Sequence, residues 1–267
     1  MTIEEKKQRL AALLKDHGPL GVAFSGGADS AFLLAMAAHV LKDRAVALTS
    51  IGPMHADRER TAANRMSEAI GIRHILVKTG RLTDEAFLQN RPDRCYVCKK
   101  TIWAELKQAA ADLGIDNLAD GVNADDLNEH RPGLAAGTEA GVISPLAMAG
   151  FSKAEIREAS RHMGLLTWNK PAGTCLATRI PYGTRITPEI LSMIEQAEEM
   201  LITAGYTPCR VRYHGGTARI EVAPEAVESL ATAAVRKPVT VQLKKIGFSH
   251  VSLDLTGYRS GSMDESL

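Results

Sequence analysis

The sequence predicts an α/β fold, a parallel sheet with helices on both faces, joined to a smaller α+β domain at the C-terminus. Three observations predict it. From Leu20 to Lys78 short apolar runs alternate with helical patterns, and that alternation implies a parallel sheet. A glycine-rich stretch, Phe24-Ser25-Gly26-Gly27-Ala28-Asp29-Ser30, stands between a buried strand and a buried helix. After Gly164 the composition shifts, and the rest reads as helices with three short strands.

In order, Thr2 with Glu5 forms a capping box, Leu10, Leu13 and Leu14 give the first helix an apolar face, and Gly18 ends it. The run 20–24 is the first strand and 30–41 the helix after it. Residues 45–49 form a second strand, 57–70 a helix closed by Gly71, and 73–78 a third strand. The pattern breaks over 79–94, which is polar. Cys95-Tyr96-Val97-Cys98 follows, then a helix over 99–113. Residues 117–120 form a short strand, which runs into the acidic loop 121–126. Val142 to Leu146 is a short buried segment, and Ser152 with Glu155 caps a helix to about Met163. The irregular stretch 168–187, with Pro171, Gly173, Pro181 and Gly183, is long enough to be functional. The domains are expected at 1–166 and 167–267. The second contains helix 188–204, strands 210–213 and 218–222, helices 224–233 and 238–246, and strand 251–255.

Composition bounds the function. With 267 residues, 45% hydrophobic and 24% charged, the chain reads as a soluble globular protein. No apolar run approaches the ~20 residues of a membrane span, and the polar N-terminus is no signal peptide. A formal net charge of +1 gives no general attraction to nucleic acid. The four cysteines, 95, 98, 175 and 209, read as reduced thiols of a cytoplasmic protein.

The stretch 24–30 has the design of a phosphate site. A glycine turn at a helix N-terminus presents free N–H groups where the helix dipole favours an anion. Gly26 and Gly27 let the backbone approach a phosphate, Ser25 and Ser30 offer hydroxyls, and Asp29 suits Mg²⁺ or the shaping of the loop. It is neither GxxxxGK[ST] nor GxGxxG. It resembles the SGGxDS loop of the ATP pyrophosphatases, which release pyrophosphate from ATP and transfer AMP to an acceptor.

Cys95-x-x-Cys98 is a redox pair, half of a metal site or incidental; no second CxxC completes a four-thiolate zinc site. Cys175 lies in a comparable irregular loop, whereas Cys209 reads as structural. Three thiolates suit a [4Fe–4S] cluster with one open iron, or zinc with an open position.

SGGADS, RPDRCYVCKK, NEHRPGL, NKPAGTCLATRIPYG, CRVRYHGGTARIEV and LDLTGYRSGSM together resemble the LarE family almost end to end. The resemblance implies a PP-loop domain of the adenine nucleotide alpha hydrolase type. It also implies an ATP-dependent sulfur transferase of nickel-pincer cofactor synthesis: a carboxylate of pyridinium-3,5-biscarboxylic acid mononucleotide is adenylated, and sulfur then displaces AMP. Cys175 falls where some members sacrifice a cysteine sulfur. Cys95 and Cys98 mark the three-cysteine type, for which a [4Fe–4S] cluster carries the sulfide. Arg210 and Arg212 match phosphate-holding arginines, Arg179 is expected at a phosphate or carboxylate, and Glu199 aligns with an acidic site residue. Asp120 and Gly121 are expected to touch ATP. The expected cofactors are ATP, Mg²⁺ and the cluster. The expected partners are a nucleotide substrate, other proteins of the cofactor pathway and further copies of the chain. A tRNA thiolase, an ATP-dependent amide ligase and an ATP-sensing metal carrier are the alternatives; near-neutral charge and the lack of an RNA-binding module argue against the first.

Overall fold

The structure, a computed structural model, describes residues 1–79, 84–128, 132–170 and 173–259. Parts of three motifs noted above, residues 129–131, 171–172 and 260–263, lie outside the described residues. The chain forms two compact units, Met1–Arg81 with Asp93–Gly173 and Leu82–Pro92 with Thr174–Leu267. The sequence placed one boundary at 166/167. In the structure the division falls at 173/174, and the segment 82–92 joins the second unit. The reason is local: Asn90, fully buried with φ +54°, donates from Nδ2 to the carbonyls of Pro181 (2.8 Å) and Thr184 (2.9 Å).

The first unit runs α1 (Ile3–Asp16), β1 (Leu20–Ala23), α2 (Ala28–Leu41), β2 (Ala45–Ile51), α3 (Asp57–Ile70) and β3 (His74–Lys78), the second unit's short α4 (Glu85–Leu88) intervening in the chain. It continues with α5 (Arg94–Ala111), β4 (Asn117–Ala119), α6 (Pro132–Glu139), α7 (Pro145–Met148) and α8 (Lys153–His162). Both expected capping boxes form, Thr2 with Glu5 and Ser152 with Glu155. The sheet is parallel, in the order β3-β2-β1-β4, with Leu20 opposite both Ala45 and Asn117. After β3 the chain returns past β1 to place β4 on its other side. The carboxyl ends of β1 and β4 therefore flank a topological switch point, where open α/β sheets bind ligands. Helix α2 is apolar nearly all round, and Phe32, Leu33 and Leu34 are fully buried, so it sits within the core.

The helix expected from Lys99 begins at Arg94, so Cys95 and Cys98 lie in its first turns, three residues apart on one face.

The second unit continues with α9 (Pro188–Thr203), β5 (Cys209–His214), β6 (Thr217–Val222), α10 (Val227–Ala231), α11 (Ala233–Ile246) and β7 (His250–Leu253). Strands β5 and β6 are antiparallel, and β6 and β7 are parallel. One face of this sheet carries Cys209, Val211, Ile220 and Val222 into a core with Leu201, Leu243 and Phe248. The other carries Arg210, Arg212, Arg219 and Glu221, as the two-residue strand period requires. Helix α11 starts at Ala233, with Pro238 inside it, rather than at 238.

Candidate active site

In the first unit the loop after β1 brings Ser25, Gly26, Gly27, Asp29 and Ser30 to the switch point. Gly26 has φ +72°, a left-handed conformation open to glycine. Gly27 caps α2 with extended backbone and no side-chain hydrogen bond, so nothing from the cap residue covers the helix N-terminus. The hydroxyls of Ser25 and Ser30 lie 3.1 Å apart. Asp120 and Gly121 leave β4 beside them. A Cβ on Gly121 would fall 2.9 Å from the Ser30 nitrogen, so a hydrogen at this position is what lets the end of β4 close on the start of α2. Asp120 Oδ1 accepts from Ser144 (2.8 Å) and from the Val122 nitrogen (3.1 Å). Burial pushes its pKa up, against those hydrogen bonds.

Asp29 also has a raised pKa, mainly through burial, with Lys153 acting in the opposite sense from 3.5 Å. Its Oδ1 is buried without a hydrogen-bond partner among the described residues. That orphaned acceptor fits Mg²⁺, which binds through one or two carboxylates together with substrate phosphates. A partly buried acidic loop adjoins it: Asn123, fully buried, accepts from the nitrogens of Asp125 (2.9 Å) and Asp126 (3.2 Å), while its Nδ2 lacks a partner among the described residues.

Cys95 is exposed and Cys98 half-buried, both in the first unit; half-buried Cys175 belongs to the second. Among the described residues no three His, Cys, Asp or Glu side chains are gathered so as to hold a metal ion.

In the second unit Cys175 precedes a short 3₁₀ turn, Leu176–Arg179. Arg179 was expected at a ligand, but its side chain is 1% exposed and is engaged within the protein. Nε and Nη2 meet Glu198 at 2.8 and 3.1 Å, and Nη1 donates to the carbonyls of Thr174 (3.0 Å) and Cys175 (2.9 Å). It shapes the cysteine loop. Arg212 is likewise held, by Glu221 at 2.8 Å. Arg210 is different: it donates to its neighbour's carbonyl and lies 5.0 Å from the Tyr258 ring, with no carboxylate partner of the kind Arg212 has among the described residues. Burial, then the charge of Arg179, lowers its pKa. Of the two strand arginines it is the one open to an anion. Glu199 is exposed on α9.

Sequence reasoning missed Glu198, Lys153 and Lys170. Glu198 was detectable: Leu191, Ile194, Glu198 and Leu201 share one helical face, and an acid on an apolar stripe needs a buried partner. A cavity of about 790 Å³ lies elsewhere, against Ala45 and Arg73 at the amino ends of β2 and β3, away from the glycine loop.

A glycine loop at a helix N-terminus, set at the switch point of a parallel sheet, defines an ATP-handling protein of the PP-loop class. Residues 7–146 match the asparagine synthase family, which shares this class. The chain is 37% identical over 267 residues to the pyridinium-3,5-bisthiocarboxylic acid mononucleotide synthase of Lactiplantibacillus plantarum, covering 100% of this chain and 96% of that one. It is 37% identical over 265 residues to an uncharacterized protein of Synechocystis, covering 99% of each. An uncharacterized protein of Methanocaldococcus jannaschii is 28% identical over 239 residues, 90% of each chain. The chain belongs to the LarE family.

Proposed function

We propose that this protein is an ATP-dependent sulfur transferase acting on pyridinium-3,5-biscarboxylic acid mononucleotide in nickel-pincer cofactor synthesis. The observation that carries this reading is the end-to-end likeness to a synthase of the bisthiocarboxylic acid mononucleotide, in a chain that retains the glycine loop. A carboxylate is a poor electrophile. Attack of its oxygen on the α-phosphorus of ATP expels pyrophosphate and yields an acyl adenylate; a sulfur nucleophile then displaces AMP and leaves a thiocarboxylate.

In this reading the first unit holds ATP. Ser25, Gly26, Gly27 and Ser30 cradle the phosphates, Asp29 holds Mg²⁺, and Asp120 and Gly121 border the nucleotide. The second unit holds the acceptor's phosphate on Arg210, with Arg212 and Arg179 shaping the surroundings of Cys175. Cys175 bears the sulfur chemistry. Cys95 and Cys98 serve sulfur delivery, and Glu199 acts at the rim. The four cysteines form no disulfide among the described residues, which suits a cytoplasmic protein, and no helix among the described residues is long and apolar enough to cross a membrane. Self-association and other proteins of the cofactor pathway complete the proposed partners.

The test is pyrophosphate release with the purified protein, ATP and Mg²⁺. Release that requires the biscarboxylate, with a product carrying sulfur in place of oxygen, is expected. Release that requires tRNA or ammonia instead would overturn the reading. Iron and sulfide analysis after purification without oxygen decides the sulfur source: about four irons per chain marks a cluster, and a Cys175 lighter by one sulfur marks a sacrificed cysteine.

A further inference from the structure

We infer that Lys170 is a positioning residue that couples occupancy of the glycine loop to the reactivity of Cys175. The inference rests on the proposed binding of ATP at that loop. Lys170 Nζ lies 3.0 Å from the carbonyl oxygen of Gly26 and 2.6 Å from Glu59 Oε2. Glu59 stands in the first turn of α3, whose Ala63 packs against Gly26; a Cβ on Gly26 would lie 3.4 Å from the Ala63 Cβ. The same Glu59 carboxylate lies against Gly173, where a Cβ would fall 3.6 Å from Oε2. The ammonium therefore ties the glycine loop and Glu59 to Lys170, on the chain that leads to the second unit, and Glu59 lies beside Gly173, two residues before Cys175.

The chemistry of the group suits a relay. An ammonium has three donors, and two are engaged by Gly26 and Glu59, leaving one for a phosphate oxygen. A lysine is a point charge on a flexible stem, able to divide its contacts between two anions. A triphosphate seated on the loop N–H groups competes with Glu59 for that charge. With nucleotide bound, Lys170 turns from Glu59 towards phosphate and the hold on the chain before Cys175 loosens. When pyrophosphate leaves, the ammonium returns to Glu59. The thiol is thereby presented in step with formation of the adenylate. Lys170 is 23% exposed and Glu59 33%, so both can exchange partners without unfolding the unit.

The test follows alkylation of Cys175 by N-ethylmaleimide, read by peptide mass spectrometry, with and without α,β-methylene-ATP and Mg²⁺. Nucleotide binding is measured separately by calorimetry, and Cys95 serves as internal control. In the wild type the nucleotide should change the Cys175 rate about fivefold or more, the lower end of a usual coupling. Lys170→Gln should bind the nucleotide yet lose that change, Lys170→Arg should restore it, and Glu59→Gln should show the nucleotide-bound rate without nucleotide. Binding with no change in the wild type, or an undiminished change in Lys170→Gln, overturns the coupling alone. Absence of binding to the wild type overturns the ATP reading as well. Glu59→Gln keeps the inference open to refutation should Lys170→Gln not fold.

Discussion

Arg179 and Glu198 form a two-point ion pair buried between the cysteine loop and α9, 2.8 Å from Nε to Oε1, with side chains 1% and 0% exposed. Glu198 Oε1 also accepts from the Val211 nitrogen of β5 at 3.3 Å, so one carboxylate joins loop, helix and strand. Removing one member leaves the other charged and buried. Glu198→Ala is therefore expected to cost about 3–5 kcal/mol of stability. Exposed Glu199→Ala should change stability by less than about 0.5 kcal/mol. Denaturant unfolding of the two variants checks this, and equal effects would refute the assigned role of Glu198.

The contact of Gly121 with Ser30 gives a second prediction. The atoms that a Cβ would strike are backbone, the Ser30 nitrogen at 2.9 Å and its Cα at 3.0 Å, and neither can swing aside. Gly121→Ala should lose about 1–3 kcal/mol, the usual cost of overpacking, and should weaken ATP binding by displacing the loop. Gly27→Ala is the control for stability: its nearest contact is the Ser25 hydroxyl at 3.5 Å, and its φ of −83° suits any residue. Thermal melts of both variants and nucleotide titration of Gly121→Ala test it; a Gly121→Ala protein as stable as the wild type would contradict the geometry.

What the sequence made legible was local. Gly26 announced the loop because its backbone turns left-handed there, with φ +72°, a conformation open to glycine. The two capping boxes were readable because each lies within four residues. Partnerships between distant residues were not. Nothing in the spacing says that Arg179 meets Glu198 nineteen positions on, or that Lys170 reaches Gly26 across 144. Arg179 beside Cys175 therefore looked like a ligand contact. The start of α5 was missed because Asp93 makes no side-chain cap and the helix opens on Arg94-Cys95-Tyr96, without an acidic first turn. The move of segment 82–92 into the second unit depends on buried Asn90, whose left-handed backbone single-sequence periodicity does not register.

Arg210 and Arg212 share a strand face but should fail differently. Arg212→Ala takes from Glu221, 1% exposed, the guanidinium at 2.8 Å, while Arg219 stays at 2.9 Å. Its melting temperature should drop. Arg210→Ala removes a cation without a carboxylate partner among the described residues, so stability should hardly move. If Arg210 grips the substrate phosphate, its loss should raise KM by about tenfold or more, since a hydrogen bond to a charged group is worth about 1.5–3 kcal/mol. A substrate analogue lacking the phosphate should be handled equally by wild type and Arg210→Ala. A KM for the phosphorylated substrate unchanged in Arg210→Ala would remove this arginine from the site.

His74 gives the pH prediction. Thr49 donates its hydroxyl to the Phe24 carbonyl at 2.6 Å, so it accepts from His74 Nε2 at 2.7 Å, and His74 Nδ1 lies 2.9 Å from the Ser67 hydroxyl, which also donates to the Asn64 carbonyl at 2.8 Å. The ring thus links β2 and α3 to the residue before Ser25. Burial lowers its pKa from 6.5. A depressed folded pKa means that the unfolded chain binds more protons below 6.5, so the stability this ring contributes is present above 6.5 and is lost as pH falls from there through the folded value. His55 and His214, also lowered by burial, act in the same direction, so the wild-type curve alone does not isolate His74. The difference between wild type and His74→Gln does. Melting temperatures recorded from about pH 5 to 8, the range over which histidine titrates, should show the variant less stable at the alkaline end and the gap narrowing below 6.5. A gap of constant size across the range would mean that His74 does not titrate differently in the folded and unfolded states.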